Sequence, residues 1–95
     1  MDDTAGTTER SDEELVRRAN AGEARAFEML YERYCDWAVR TARRFTGDWA
    51  SANDVMQETF MYLLGKFPGF ELRAKMKTVL YPVIRNTALA MKGKY

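Results

Sequence analysis

One run of sequence sets the class of fold. Between Glu23 and Phe45 the residues Phe27, Leu30, Tyr31, Tyr34, Ala38, Ala42 and Phe45 recur every three or four positions without a proline between them. An apolar stripe of that period is the mark of a long amphipathic helix. Gly47, just beyond it, stands where a left-handed cap closes a helix. Apolar and polar residues nowhere alternate for long enough to make a strand. The chain is therefore expected to be all-α.

Punctuation divides the rest into further helices. Ser11-Asp12-Glu13-Glu14 forms a capping box, so a short helix is expected from Asp12 and is ended or bent at Gly22. Ser51-Ala52-Asn53-Asp54 is a second capping signature. It predicts a helix reaching about Phe67, with Met56, Phe60, Leu63, Leu64 and Phe67 on its inner side. Pro68-Gly69 breaks that helix, and residues 68–75 read as a loop. A last helix starts near Lys75 or Met76, with Met76, Leu80, Val83, Ile84 and Thr87 facing inward. Pro82 within it removes a backbone donor and should kink the helix about one turn in. The expected architecture is a small bundle of three main helices and a short N-terminal one around an aromatic-rich core. Residues 1–10, polar and rich in threonine, read as a disordered leader.

Composition excludes several classes of function. The 95 residues suit one domain, and no apolar run approaches the ~18 needed to span a bilayer. Nothing near Met1 resembles a secretory signal. Cys35 is the single cysteine, which rules out an internal disulfide and fits a reducing cytoplasm. There is no histidine, hence neither the commonest general base nor the commonest metal ligand. No glycine-rich phosphate loop, metal-ligand cluster or nucleophile beside a base is present, so an enzyme is the weakest reading and no cofactor is expected.

Charge is split along the chain. Residues 1–59 carry 13 acidic and 8 basic side chains, a net of −5, whereas residues 60–95 carry Glu71 against seven cations, a net of +6. Such asymmetry points to two faces with different partners. On the third helix Asp54, Gln57, Glu58 and Met61 fall at i, i+3, i+4 and i+7, a second stripe well away from the apolar one. Two acids, an amide and a methionine suit a protein partner, because carboxylates repel nucleic acid. The competing explanation is a solvated face with acids favourably placed near a helix N-terminus. In the C-terminal third, Lys75, Lys77, Arg85 and Lys92 surround Tyr81 and Asn86. Cations beside aromatics and amides provide phosphate neutralisation, base stacking and edge hydrogen bonds. A basic solubilising surface explains the same residues equally well.

Four sequence blocks resemble, in order and spacing, region 2 of the extracytoplasmic-function sigma factors. Asp54-Val55-Met56-Gln57-Glu58-Thr59-Phe60 is similar to that family's D-V-x-Q-E-x-F signature. Asp12-Glu13-Glu14-Leu15-Val16 and Ala26-Phe27-Glu28-Met29-Leu30-Tyr31 resemble its opening, and Phe70, Thr78, Leu80-Tyr81 and Arg85-Asn86 its end. The resemblance covers roughly residues 11–91. It implies a bacterial, cytoplasmic transcription factor that directs core RNA polymerase to promoters. Asp54, Gln57, Glu58 and Met61 would dock on the clamp helices of the β′ subunit. The last helix and the loop before it would read the non-template strand of the promoter −10 element and capture an unstacked base. Asn86 would read or position a base edge, and Lys75, Lys77 and Arg85 would hold phosphates. Thr78 and Tyr81 fall in the same segment. Phe70 would either wall the base pocket or plug the core. A complete member continues into a helix-turn-helix that reads the −35 element. Nothing after Asn86 resembles it, so residues 11–95 are expected to be region 2 with region 4 absent.

The sequence departs from the family in four places. Val79 replaces the usual tryptophan, which removes a large stacking surface, and Leu72 stands where a glycine is common. Ala90-Met91-Lys92-Gly93-Lys94-Tyr95 replaces the family's ending, and Pro82 takes the place of a polar residue. Val79 in place of tryptophan is the best support for a second reading: a sigma-like module that binds polymerase or an anti-sigma factor without reading promoters. Cys35 reads as a packing residue. Arg40, Arg43 and Arg44 read as a solvated face near a helix C-terminus, where cations are favoured. Trp37 lies off the main stripe and either covers the helix pair or faces a partner.

Overall fold

The computed structural model describes residues 10–92; the expected leader, Arg10 excepted, and residues 93–95 lie outside them. Four helices follow in order: α1 Asp12–Asn20, α2 Ala24–Thr46, α3 Trp49–Leu64 and α4 Met76–Lys92. Among the described residues there is no strand, and no helix is long and apolar enough to cross a membrane. The long stripe read between Glu23 and Phe45 is α2, and it packs against each of the other three helices.

Local chemistry sets most boundaries. Ser11 caps α1 by accepting the Glu14 N–H at 3.1 Å. The turn into α2 passes through Gly22 at φ +99°, a conformation that costs glycine nothing and other residues strain. Arg18 grips Glu23 with two hydrogen bonds, of 2.6 and 2.9 Å, across this turn. Gly47 closes α2 at φ +86°, its N–H donating to the Arg43 carbonyl.

The start of α3 differs from the expectation. The N-cap is Asp48, whose carboxylate accepts the Ser51 N–H at 2.7 Å, and the helix begins at Trp49. With Gly47 already closing α2, Asp48 is the first residue free to cap, so Ser51 falls inside the helix. The other end is also earlier: α3 stops at Leu64, not Phe67. Leu64 is 52% exposed instead of buried. The chain turns back at Gly65, and Phe67 takes the inner place, edge-on to Phe27 at 5.7 Å.

The core is continuous. Leu15 from α1, Leu30 from α2, Val55 and Thr59 from α3, and Met76, Leu80 and Ile84 from α4 are all fully buried. Burial of each large aliphatic side chain contributes about 1.5–3 kcal/mol. The Thr59 hydroxyl is satisfied by donating to the Val55 carbonyl at 2.8 Å. Tyr31 meets Phe60 edge-on at 5.0 Å and ties α2 to α3. Cys35 packs against this core, as its surroundings on α2 suggest. Helix α4 runs through Pro82 as one element. Thr78, whose carbonyl loses its donor there, is exposed, so water can take the donor's place.

Candidate protein and nucleic-acid interfaces

Helix α3 has the two faces its sequence predicts. Ala52, Val55, Met56, Thr59, Phe60 and Leu63 are buried, whereas Asp54, Gln57, Glu58 and Met61 are exposed, Met61 to 72%. The early start of the helix bears on what the acids are for. No acid stands in the first turn of α3, and the dipole acts within about that turn. Asp54 and Glu58 are therefore not explained as helix-end stabilisers. Neither pairs with a cation among the described residues. Tyr62 and Leu64 extend the surface with half-exposed apolar area, and the Lys66 ammonium lies 4.7 Å from the centroid of the Tyr62 ring. The sequence reading missed Tyr62 and assigned Leu64 to the core.

The loop after α3 is held from a distance. Asn20, the last residue of α1, donates from Nδ2 to the Phe70 carbonyl at 2.9 Å. Its Oδ1 accepts the N–H groups of Gly69 and Phe70 at 2.8 and 3.0 Å. The Phe70 ring lies 5.2 Å from that of Phe67 and, partly buried, packs against the core. Leu72, where a glycine would leave the loop loose, also packs against the core.

Between this loop and α1 lies a cleft of about 390 Å³ lined by Asp12, Tyr34, Arg73, Lys75, Met76 and Lys77, among others. Its charges are partly internal. Asp12 pairs with Arg33 at 2.7 Å and accepts the Tyr34 hydroxyl. Burial, reinforced by that hydrogen bond, pushes the Tyr34 phenol up to about 12. Arg73 pairs with Glu71. Lys75 and Lys77 make no ion pair among the described residues, so they are the cations at this cleft with charge to offer.

Lys77, Thr78, Tyr81, Arg85 and Asn86 are all exposed on α4. Lys77, Tyr81 and Arg85 recur every fourth residue and so share one side of the helix. Tyr81 is 44% exposed and leans on Phe45 at 6.0 Å. The Arg85 guanidinium donates to the Asn86 side-chain oxygen at 3.3 Å. Asn86 lies toward α3, where it shares a shallow groove of about 280 Å³ with Glu58, Thr87, Ala90 and Met91. The acidic face and the basic helix thus meet along one edge. On α2, Arg40 pairs with Asp36 at 2.8 Å, and Arg43 lies over the exposed Trp49 ring at 5.0 Å. Trp37 is half-buried beneath the Lys77 ammonium, 5.4 Å from its ring centroid.

The helical bundle thus carries an acidic, amide-bearing face on one helix and a basic, aromatic side on the next. Residues 30–94 match the family described as Sigma-70 region 2, and the chain belongs to that family. It is 40% identical over 62 residues to the ECF RNA polymerase sigma factor BldN of Streptomyces coelicolor, covering 65% of this chain and 24% of BldN. It is 33% identical over 81 residues to the RNA polymerase sigma-H factor of Pseudomonas aeruginosa, covering 85% of this chain and 42% of that protein. The chain thus spans less than half the length of either relative. Its fold is also similar to an engineered region 2 of sigmaE, solved by NMR in complex with GTAAAA. The TM-score is 0.79 at 28% identity, over 99% of this chain and 96% of that one.

Proposed function

We propose that this chain is a promoter-recognition domain that binds core RNA polymerase and the −10 element during transcription initiation, without a reaction of its own. Asp54, Gln57, Glu58 and Met61 dock on the β′ clamp helices. Lys75, Lys77 and Arg85 hold phosphates of the non-template strand, Thr78 and Tyr81 line its path, and Asn86 contacts a base edge. Phe70 supports the recognition loop from within the core. An anti-sigma factor is a natural competitor for either face.

The observation that carries this reading is the likeness to a region 2 complexed with GTAAAA, combined with exposure of every polar residue assigned to the two faces. The polymerase half is tested with the double substitution Gln57→Ala, Glu58→Lys. Both positions are exposed, so the fold should survive. Binding to a β′ clamp-helix fragment should fall at least tenfold. A folded variant of unchanged affinity would sink the docking assignment.

A further inference from the structure

The seam between α2 and α4 holds an aromatic residue that none of the assignments above uses. Trp37 lies off the core stripe of α2 and is half-buried. The ammonium of Lys77 sits over its ring, 5.4 Å from the centroid. One turn further along α4, Tyr81 is 44% exposed and packs on Phe45; after another turn comes Arg85, also exposed. The seam therefore alternates indole, ammonium, phenol and guanidinium. Alternating stacking surfaces and cations suit a single nucleic-acid strand, whose bases and phosphates alternate in the same way.

The neighbouring acids leave this seam open to a polyanion. Asp36, on α2 beside Trp37, is engaged by Arg40 at 2.8 Å, and Asp12 by Arg33 at 2.7 Å. Glu71 is paired with Arg73. Glu13 lines the adjoining cleft with Lys75 and Lys77 and is the nearby carboxylate without an ion pair among the described residues.

We propose that Trp37 is a base-stacking residue for single-stranded DNA and that Lys77 is its latch. This rests on the nucleic-acid half of the function proposed above. The ammonium over the half-buried indole is held by a cation–π contact alone, whereas an ammonium on a phosphate makes a charge-assisted hydrogen bond of about 2.8 Å. A strand entering the seam draws Lys77 to a phosphate and leaves the indole face to the adjoining base. The strand then crosses from α4 onto α2.

The test uses the full 95-residue chain carrying Trp49→Phe, so that Trp37 is the sole tryptophan. Fluorescently labelled GTAAAA and a random single-stranded 12-mer pool report binding by anisotropy at low salt, while Trp37 emission is followed separately. Binding should quench Trp37 emission. Trp37→Leu should weaken binding about tenfold, within the range for loss of one base stack, and Trp37→Phe should restore part of it. Lys77→Met should flatten the dependence of affinity on salt by about one phosphate contact. Binding that leaves Trp37 emission unchanged overturns the stacking assignment and spares the proposed function. If Trp37→Leu fails to fold, the emission measurement decides alone. Absence of binding to either probe overturns the nucleic-acid reading and this inference with it.

Discussion

Asn20 and Phe70, fifty positions apart, exchange a pair of hydrogen bonds: Nδ2 of Asn20 donates to the Phe70 carbonyl at 2.9 Å, and the Phe70 N–H donates back to Oδ1 at 3.0 Å. The Gly69 N–H adds a third at 2.8 Å. The end of α1 thereby sets the backbone of the loop leading to the basic helix. Asn20→Ala should cost about 1–3 kcal/mol, as expected for several partly buried hydrogen bonds. It should also speed amide exchange at Gly69 and Phe70. Asn20→Asp keeps the two acceptor bonds and loses the donor, so it should fall between wild type and alanine. Native exchange rates at both amides in the alanine variant would show that the clamp does not hold the loop.

Tyr34 ties the same region to alkaline pH. Its phenol ionises near the ordinary value of about 10 in an unfolded chain, but burial and the Asp12 hydrogen bond push it up to about 12 in the fold. Across that interval the folded chain keeps a proton that the unfolded chain has lost. The stabilisation is therefore whole below about pH 10 and disappears as pH rises through the folded value. Ultraviolet titration should find this phenolate forming with a midpoint of about 12. Asp12→Ala should move its midpoint down only part of the way, because burial is the larger cause. An unmoved midpoint would show that the hydrogen bond contributes nothing.

Asp48 makes the opposite prediction in acid. The Ser51 N–H holds its carboxylate below the usual range, so its contribution is present at neutral pH and lost as pH falls through the depressed value. Asp48→Ala should lower the melting temperature at pH 7 and have less effect near pH 2. Asp48→Asn retains an acceptor for the cap and should lie closer to wild type at neutral pH. Equal losses for both variants, independent of pH, would contradict the capping role.

How much of this was legible depends on the range of each interaction. The Ser11 cap, the long stripe of α2 and the Gly47 closure lie within a few residues of their partners, and the structure has them where the sequence predicts. The start of α3 was misplaced because two capping signatures overlap: Ser51-Ala52-Asn53-Asp54 looks the stronger, but Asp48 comes first and takes the Ser51 N–H. Leu64 fits the periodicity of a core residue and is exposed because the helix ends under it. Asn20 shows no role in the sequence and Trp37 only two open alternatives, since their partners, Phe70 and Lys77, lie 40 or more positions away. The exposed stripe of Asp54, Gln57, Glu58 and Met61 was legible because an inner face fixes an outer one.

Promoter reading by this chain meets its most direct test in a selection of single-stranded oligonucleotides on the wild-type chain at low salt, repeated with Lys77→Ala and with Asn86→Ala. Enrichment of one −10-like sequence is predicted. Lys77→Ala should weaken binding to all sequences alike, as loss of a phosphate contact does. Asn86→Ala should relax the preference at one position, with a loss of about 1–3 kcal/mol against the favoured base. A wild-type chain that retains no oligonucleotide would contradict promoter reading and leave a module that binds protein alone.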